Sequence, residues 1–221
     1  MNITAFKIFI FDVNGVLINS NTANARAMAE AFTNDPEKQH RIVDLYMQLT
    51  GIDRGSKIRC VQDNVMGRPF ETGEFEHRWE RFRQLSGKAM LNVPRTPTCI
   101  ELLDVLGSRN ATRVALSNTP IEELQRSLAA HDLADRLDII RGGGDWVKAE
   151  SLERLMSDYG FEPDDCLLIG DGMGDLNAAR RSSISFVAID PDTGEFDGES
   201  GFFGPYASLS RWAGDVLKIK P

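Results

Sequence analysis

The chain has 221 residues, 42% of them hydrophobic and 26% charged, enough for one large domain or a core with a smaller insert. Its net charge of -8 argues against a nucleic-acid partner held through phosphates, while leaving room for local positive sites that bind a small anion. Three cysteines without a CxxC pair (Cys60, Cys99, Cys166), no signal segment and no apolar run near the ~18 residues of a membrane span predict a reduced, cytoplasmic chain with no membrane partner.

The first predicted element is the apolar run "IFIFDVNG", which ends in Asp12 and breaks at Gly15. From about Asn19 to Pro94 only helical periodicity follows, over 21–33, 36–49, 54–66 and 71–87. Phe70, Phe75, Trp79 and Phe82 lie near helical spacing, the pattern of a helical core rather than of a ligand-stacking face. "LNVPRTPT" reads as a return hinge because its prolines restrict the backbone. Helices then start at Thr96-Pro97 and Thr119-Pro120, the second with Glu122 and Glu123 in its first turn, and two more cover 147–159 and 174–182. Between them lie "RVALSNT", "LDIIRGGG", "CLLIGDG" and "SFVAID", continuous apolar runs of the kind buried on both faces of a parallel sheet. The acidic, Gly-rich stretch 190–204 reads as a surface loop before a last amphipathic helix at 206–217. Strand and helix in alternation predict an α/β doubly wound parallel-sheet core, residues 1–18 and 95–221, with an all-helical insert at 19–94.

In such a sheet the strands' carboxyl ends share one edge, where ligands bind. That edge would gather Asp12 and Asn14, Ser117 and Asn118, Gly142 to Gly144, and Asp171 and Asp175, with Lys148 nearby. Separated aspartates suit a hard cation such as Mg²⁺. A hydroxyl, open backbone amides and a lysine suit a phosphoryl group. The scattered histidines His40, His77 and His131 argue against zinc.

The ordered set "DVNGV", "LSNT", a lysine and "GDGMGD" resembles the haloacid dehalogenase (HAD) superfamily of phosphohydrolases, with the insert similar to that family's helical C1 cap. The resemblance covers the chain in order and implies a Rossmann-like core. It implies Asp12 as nucleophile and Mg²⁺ ligand, the backbone carbonyl of Asn14 as a further ligand, and Asp171 and Asp175 completing the metal site. Ser117 and Asn118 would grip the phosphate, and Lys148 would neutralise nucleophile and phosphate; Ala149 stands where the family often has proline. In the insert, "LTGIDRGSK" resembles the specificity loop of sugar-phosphate phosphatases and β-phosphoglucomutase, so Arg54 would fork onto the distal part of the substrate, with Lys57 a further candidate. The implied substrate is a small phosphorylated metabolite that fits beneath a helical lid, handled by a monomer or weak dimer.

Asn14 departs from the pattern. The resemblance places a second aspartate there, which protonates the leaving oxygen and then activates water; an amide cannot exchange that proton. Three readings stay open: a substitution introduced to trap substrate, a natural enzyme with another proton source, or a protein that binds the phosphate ligand without turnover. A β-phosphoglucomutase-like phosphotransferase is the nearest enzymatic alternative to a phosphatase.

Overall fold

The computed structural model describes residues 3–49, 52–143, 147–191 and 193–217, and the statements below concern those residues. Six parallel strands form one sheet in the order β3-β2-β1-β4-β5-β6, with β1 Ile8–Phe11, β2 Thr112–Pro120, β3 Ile139–Gly143, β4 Cys166–Gly170, β5 Ser185–Ile189 and β6 Phe203–Tyr206. The strand order reverses at β1, whose neighbours are β2 on one side and β4 on the other. This switch point opens a crevice at the carboxyl ends of β1 and β4.

Alternation along each strand splits the core into two layers. Phe9, Phe11, Ala115, Leu167, Ile169, Val187 and Ile189 face one side, where α5 (Cys99–Ser108), α6 (Ile121–Ala130) and α9 (Leu209–Leu217) bring Leu102, Leu103, Leu124, Leu128 and Trp212. Ile8, Ile10, Val114, Leu116, Leu168, Phe186 and Ala188 face the other, under α7 (Lys148–Tyr159) and α8 (Met173–Arg181). Because both faces are covered, β1 and β4 are buried at every position, which is why their sequences are apolar throughout.

Between β1 and β2 the chain forms α1 (Asn21–Phe32), α2 (Pro36–Gln48), α3 (Arg54–Val61) and α4 (Glu74–Met90). These helices share their own apolar cluster, built on Met28, Phe32, Ile42, Ile58, Val61 and Phe82. Phe70, Phe75 and Trp79 pack against that cluster, with Phe75 edge-on to Phe70 and tilted over Trp79. Asp35 caps α2 by accepting from the Glu37 and Lys38 amides, with Pro36 at the first helical position. A single π turn, Gln62–Met66, extends α3 and stops at Gly67 in the left-handed conformation. The two connections to the sheet run side by side: the Asn19 amide donates to the Pro94 carbonyl, and the Thr96 amide to that of Leu17.

Three expectations need correction. Residues 203–206 form β6 on the sheet edge; the strand is short and mostly exposed, so no apolar run announces it. Helix α5 starts at Cys99 rather than at Pro97, because Thr96 to Cys99 first make a turn in which the Cys99 amide donates to the Thr96 carbonyl. The last helix begins at Leu209 rather than 206 for the same edge-strand reason. No helix among the described residues is long and apolar enough to cross a membrane.

Candidate active site

Strand β1 ends in Asp12, buried and directed into the switch-point crevice by the sheet beneath it. The chain then folds back at once: the Leu17 and Ile18 amides both donate to the Val13 carbonyl, and Gly15 turns with φ +86°. A Cβ at Gly15 would collide with Asp171 Oδ2 and the Asn21 amide nitrogen, so only glycine lets this turn approach Asp171.

Lys148 is the first residue of α7, where the helix dipole opposes a cation, and it is almost wholly buried. Two carboxylates hold it there. Its Nζ donates to Asp12 Oδ1 and to Asp175 Oδ1, each at 2.5 Å. Asp175 lies in the first turn of α8, where the dipole favours an acid, and its Oδ2 also accepts from the Gly172 amide at 3.3 Å. Asp171, just past β4, accepts from Asn21 Nδ2 at 2.7 Å, so the first residue of α1 reaches the acidic cluster.

One oxygen from each of Asp12, Asp171 and Asp175 can be chosen so that all lie within 4.8 Å of one another. Three carboxylates therefore face one ammonium in a buried place. Burial and the neighbouring Asp175 push the Asp12 carboxyl up to about 6 against the pull of Lys148. Burial, with Asp12 and Asp175 beside it, raises Asp171 well above the usual carboxylate range. Burial opposes the Lys148 charge, but Asp12 and Asp175 outweigh it and hold its ammonium above the usual lysine range. A cluster this rich in unbalanced carboxylate, with oxygen donors only, is suited to a hard divalent cation.

Asn14 sits in a closed polar network. Its amide nitrogen donates to Thr119 Oγ1 at 3.1 Å and to Ser117 Oγ at 3.3 Å; its amide oxygen accepts from Ser20 Oγ at 2.8 Å and Asn24 Nδ2 at 3.4 Å. The network continues upward: Ser86 Oγ donates to Asn24 Oδ1 at 2.8 Å, and Arg54 Nη2 donates to Ser86 Oγ at 3.2 Å. Arg54 itself forks onto the Glu123 carboxylate of α6 at 3.0 and 2.9 Å, with its guanidinium also 5.2 Å from the centre of the Phe82 ring.

A cavity of about 70 Å³ joins these groups. Its floor comes from the sheet edge, with Asp12, Asn14, Asn118, Thr119, Lys148, Asp171 and Asp175; α1 to α3 and the link before α3 supply its walls and roof. The structure thus brings together Asp12, Asn14, Asn118, Lys148, Asp171 and Asp175 as the sequence order implies. Ser117 stands behind Asn14, its Oγ accepting from the Thr119 amide at 3.1 Å as well as from the Asn14 amide. Arg54 borders the cavity, but both fork nitrogens are taken by Glu123. Gly142 and Gly143 do not line it: a side chain on either would run into the backbone of Ile121 or Asn118, so they serve close packing of β3 against the end of β2 and the start of α6. Gly144 lies outside the described residues. Sequence reasoning missed Thr119, Asn21 and Asn24. Thr119 stood in view two residues beyond Ser117, whereas the two asparagines sit on α1 with no spacing signal to mark them.

The model of the haloacid dehalogenase-like hydrolases matches residues 9–189. The chain is 26% identical over 198 residues to a phosphoglycolate phosphatase of Haemophilus influenzae, covering 84% of this chain and 86% of that relative. Among solved structures, a predicted phosphoglycolate phosphatase from Haemophilus somnus superposes with a TM-score of 0.77 at 20% identity, over 98% of this chain and 99% of the other. CbbY from Rhodobacter sphaeroides, solved in complex with phosphate, superposes with a TM-score of 0.73 at 18% identity, over 97% and 100%. At these identities the two structures speak for the fold.

Proposed function

The chain belongs to the haloacid dehalogenase-like hydrolases, and we propose that it acts as a phosphatase of that family, hydrolysing a small phosphomonoester, a sugar or short-acid phosphate, through an aspartyl phosphate on Asp12. The observation that carries the reading is the buried Lys148 bridging Asp12 and Asp175 beside Asp171, on the floor of a cavity at the sheet's switch point. An ammonium placed so does little for helix stability, but it offsets part of the burial that favours protonated Asp12 and orients the carboxylate for attack on phosphorus.

The donor set fits Mg²⁺, which Asp12, Asp171 and Asp175 would hold, with the backbone carbonyl of Asn14 the further ligand that the family resemblance implies. Bound there, the cation would offset carboxylate charge and draw electron density from a phosphoryl oxygen. The remaining work falls to the chain's own groups. Lys148 and the Asn118 and Thr119 side of the cavity receive the phosphoryl oxygens. Asp12 Oδ attacks phosphorus as the P–O bond to the leaving alcohol breaks, and water then cleaves the acyl phosphate to give phosphate and free Asp12. Asn14 positions hydroxyls but supplies no proton, so leaving groups that need protonation react slowly.

A second reading rests on one specific observation: each polar atom of the Asn14 amide has partners, as in a built recognition site. On that reading the chain binds a phosphate ligand without turnover. Phosphate release from a panel of small phosphomonoesters, with and without Mg²⁺ and with Asp12→Ala as control, separates the two. Mg²⁺-dependent release abolished by the alanine supports the phosphatase; saturable binding without release supports the second reading.

A further inference from the structure

Three cations border the cavity: Lys148, Arg54 and Lys57. Two are committed. Lys148 is shared between Asp12 and Asp175, and Arg54 forks onto Glu123. Lys57, one turn beyond Arg54 on α3, has no carboxylate partner among the described residues. The nearest acid in sequence, Asp53, spends its oxygens on the Ser56 amide and hydroxyl as the cap of α3. The Lys57 ammonium instead lies 3.9 Å from the centre of the Tyr46 ring, a half-buried cation seated on a buried aromatic face. That contact fixes the head group in the cavity wall and leaves its N–H donors for a partner.

Position gives this free charge a meaning. The phosphoryl end of a substrate belongs on the floor, against Asp12 and Lys148, so its organic end is directed at the roof. There Tyr46, Met47, Ile52 and Lys57 form a small apolar lining with one uncommitted positive charge. Building on the phosphatase reading above, we propose that Lys57, rather than Arg54, is the specificity residue for a second anionic group at the far end of the substrate. The substrate class is a short organic phosphate carrying a terminal carboxylate. The small cavity fits such a compact doubly charged molecule, and a charge-assisted bond to the carboxylate supplies the selectivity.

The test uses ω-phosphorylated carboxylates of two, three and four carbons, 2-phosphoglycolate being the shortest, each against the ω-hydroxyalkyl phosphate of matched length. The native chain should prefer the carboxylate of one length. Lys57→Met should cut kcat/KM on that compound by roughly ten- to 150-fold, the range for hydrogen bonds to charged groups. It should leave the matched alcohol and p-nitrophenyl phosphate within about threefold, while Lys57→Arg keeps most of the preference. Equal losses on carboxylate and alcohol, no loss, or no native preference would each overturn the assignment. If no phosphomonoester is hydrolysed, the phosphatase reading fails by itself, and calorimetric binding of the same pairs to the native and Lys57→Met proteins decides the subsite. A preference for the carboxylate that Lys57→Met removes upholds it, and equal affinities refute it.

Discussion

Arg54 of α3 and Glu123 of α6 form a buried fork-to-fork ion pair across the junction of the helical insert and the sheet domain, at 3.0 and 2.9 Å. A guanidinium whose donors are taken in this way acts as a latch between the two parts, and through Ser86 and Asn24 it is hydrogen-bonded on to Asn14 on the cavity floor. Removing one partner leaves the other charge buried and unpaired. Arg54→Met should therefore lower stability in urea unfolding by about 3–5 kcal/mol, whereas the paired change Arg54→Met with Glu123→Leu should regain most of that loss. If the double variant is no more stable than the single one, the pair is not an isolated latch.

Asn14→Asp should raise turnover of alkyl phosphates by about 10²–10⁴-fold, the usual contribution of general acid–base assistance. The network can accept the change, because Ser117 and Thr119 hydroxyls can turn to donate to the new carboxylate while Ser20 and Asn24 still donate to it. The gain should be small for acyl and nitrophenyl phosphates, whose leaving groups need no proton. Steady-state kinetics on both classes checks this; no gain on any alkyl phosphate assigns the proton to another group.

In the folded chain Asp12 titrates near 6 against an ordinary 3.8, so without divalent cation the fold binds this proton more tightly than the unfolded chain does. Its contribution to stability is then fully present below the ordinary value and is lost as pH rises through about 6. Asp171 is raised in the same direction. Chelator-treated protein should melt at a higher temperature at pH 5.5 than at pH 7.5. Saturating Mg²⁺ should flatten or reverse that trend by replacing the protons, and Mg²⁺ affinity should weaken as pH falls below about 6. Identical pH trends with and without Mg²⁺ would remove the cation from this cluster.

Gly15→Ala should weaken Mg²⁺ binding by tenfold or more, since the added methyl group displaces Asp171 and the Asn21 amide. The left-handed backbone at φ +86° should cost a further ~1–2 kcal/mol of stability. Calorimetric titration with Mg²⁺ reads the first effect and urea unfolding the second. Unchanged Mg²⁺ affinity would show that Asp171 needs no such approach.

Much of the fold was legible because burial on both faces of a parallel sheet forces apolar runs, and β1 and β4 obey this at every position. The acidic cluster was legible for a related reason: Asp12 and Asp171 end two such runs, and topology alone puts those ends side by side. β6 was not, because a short exposed edge strand needs no apolar signature. Nor was the fate of Arg54, since its partner lies 69 residues away on another helix and a capped first-turn arginine looks the same whether it meets substrate, solvent or Glu123. Asn21 and Asn24 escaped notice because their roles arise only when α1 closes over the sheet edge.

Attack of Asp12 on phosphorus leaves a covalent mark, which acid-quenching the chain during Mg²⁺-dependent turnover and mapping bound phosphate by mass spectrometry would reveal. One hydroxylamine-labile phosphoryl group is expected on the peptide containing Asp12, absent in Asp12→Ala along with all phosphate release. Phosphate release that persists in Asp12→Ala, or turnover with no label ever found at Asp12, would contradict it.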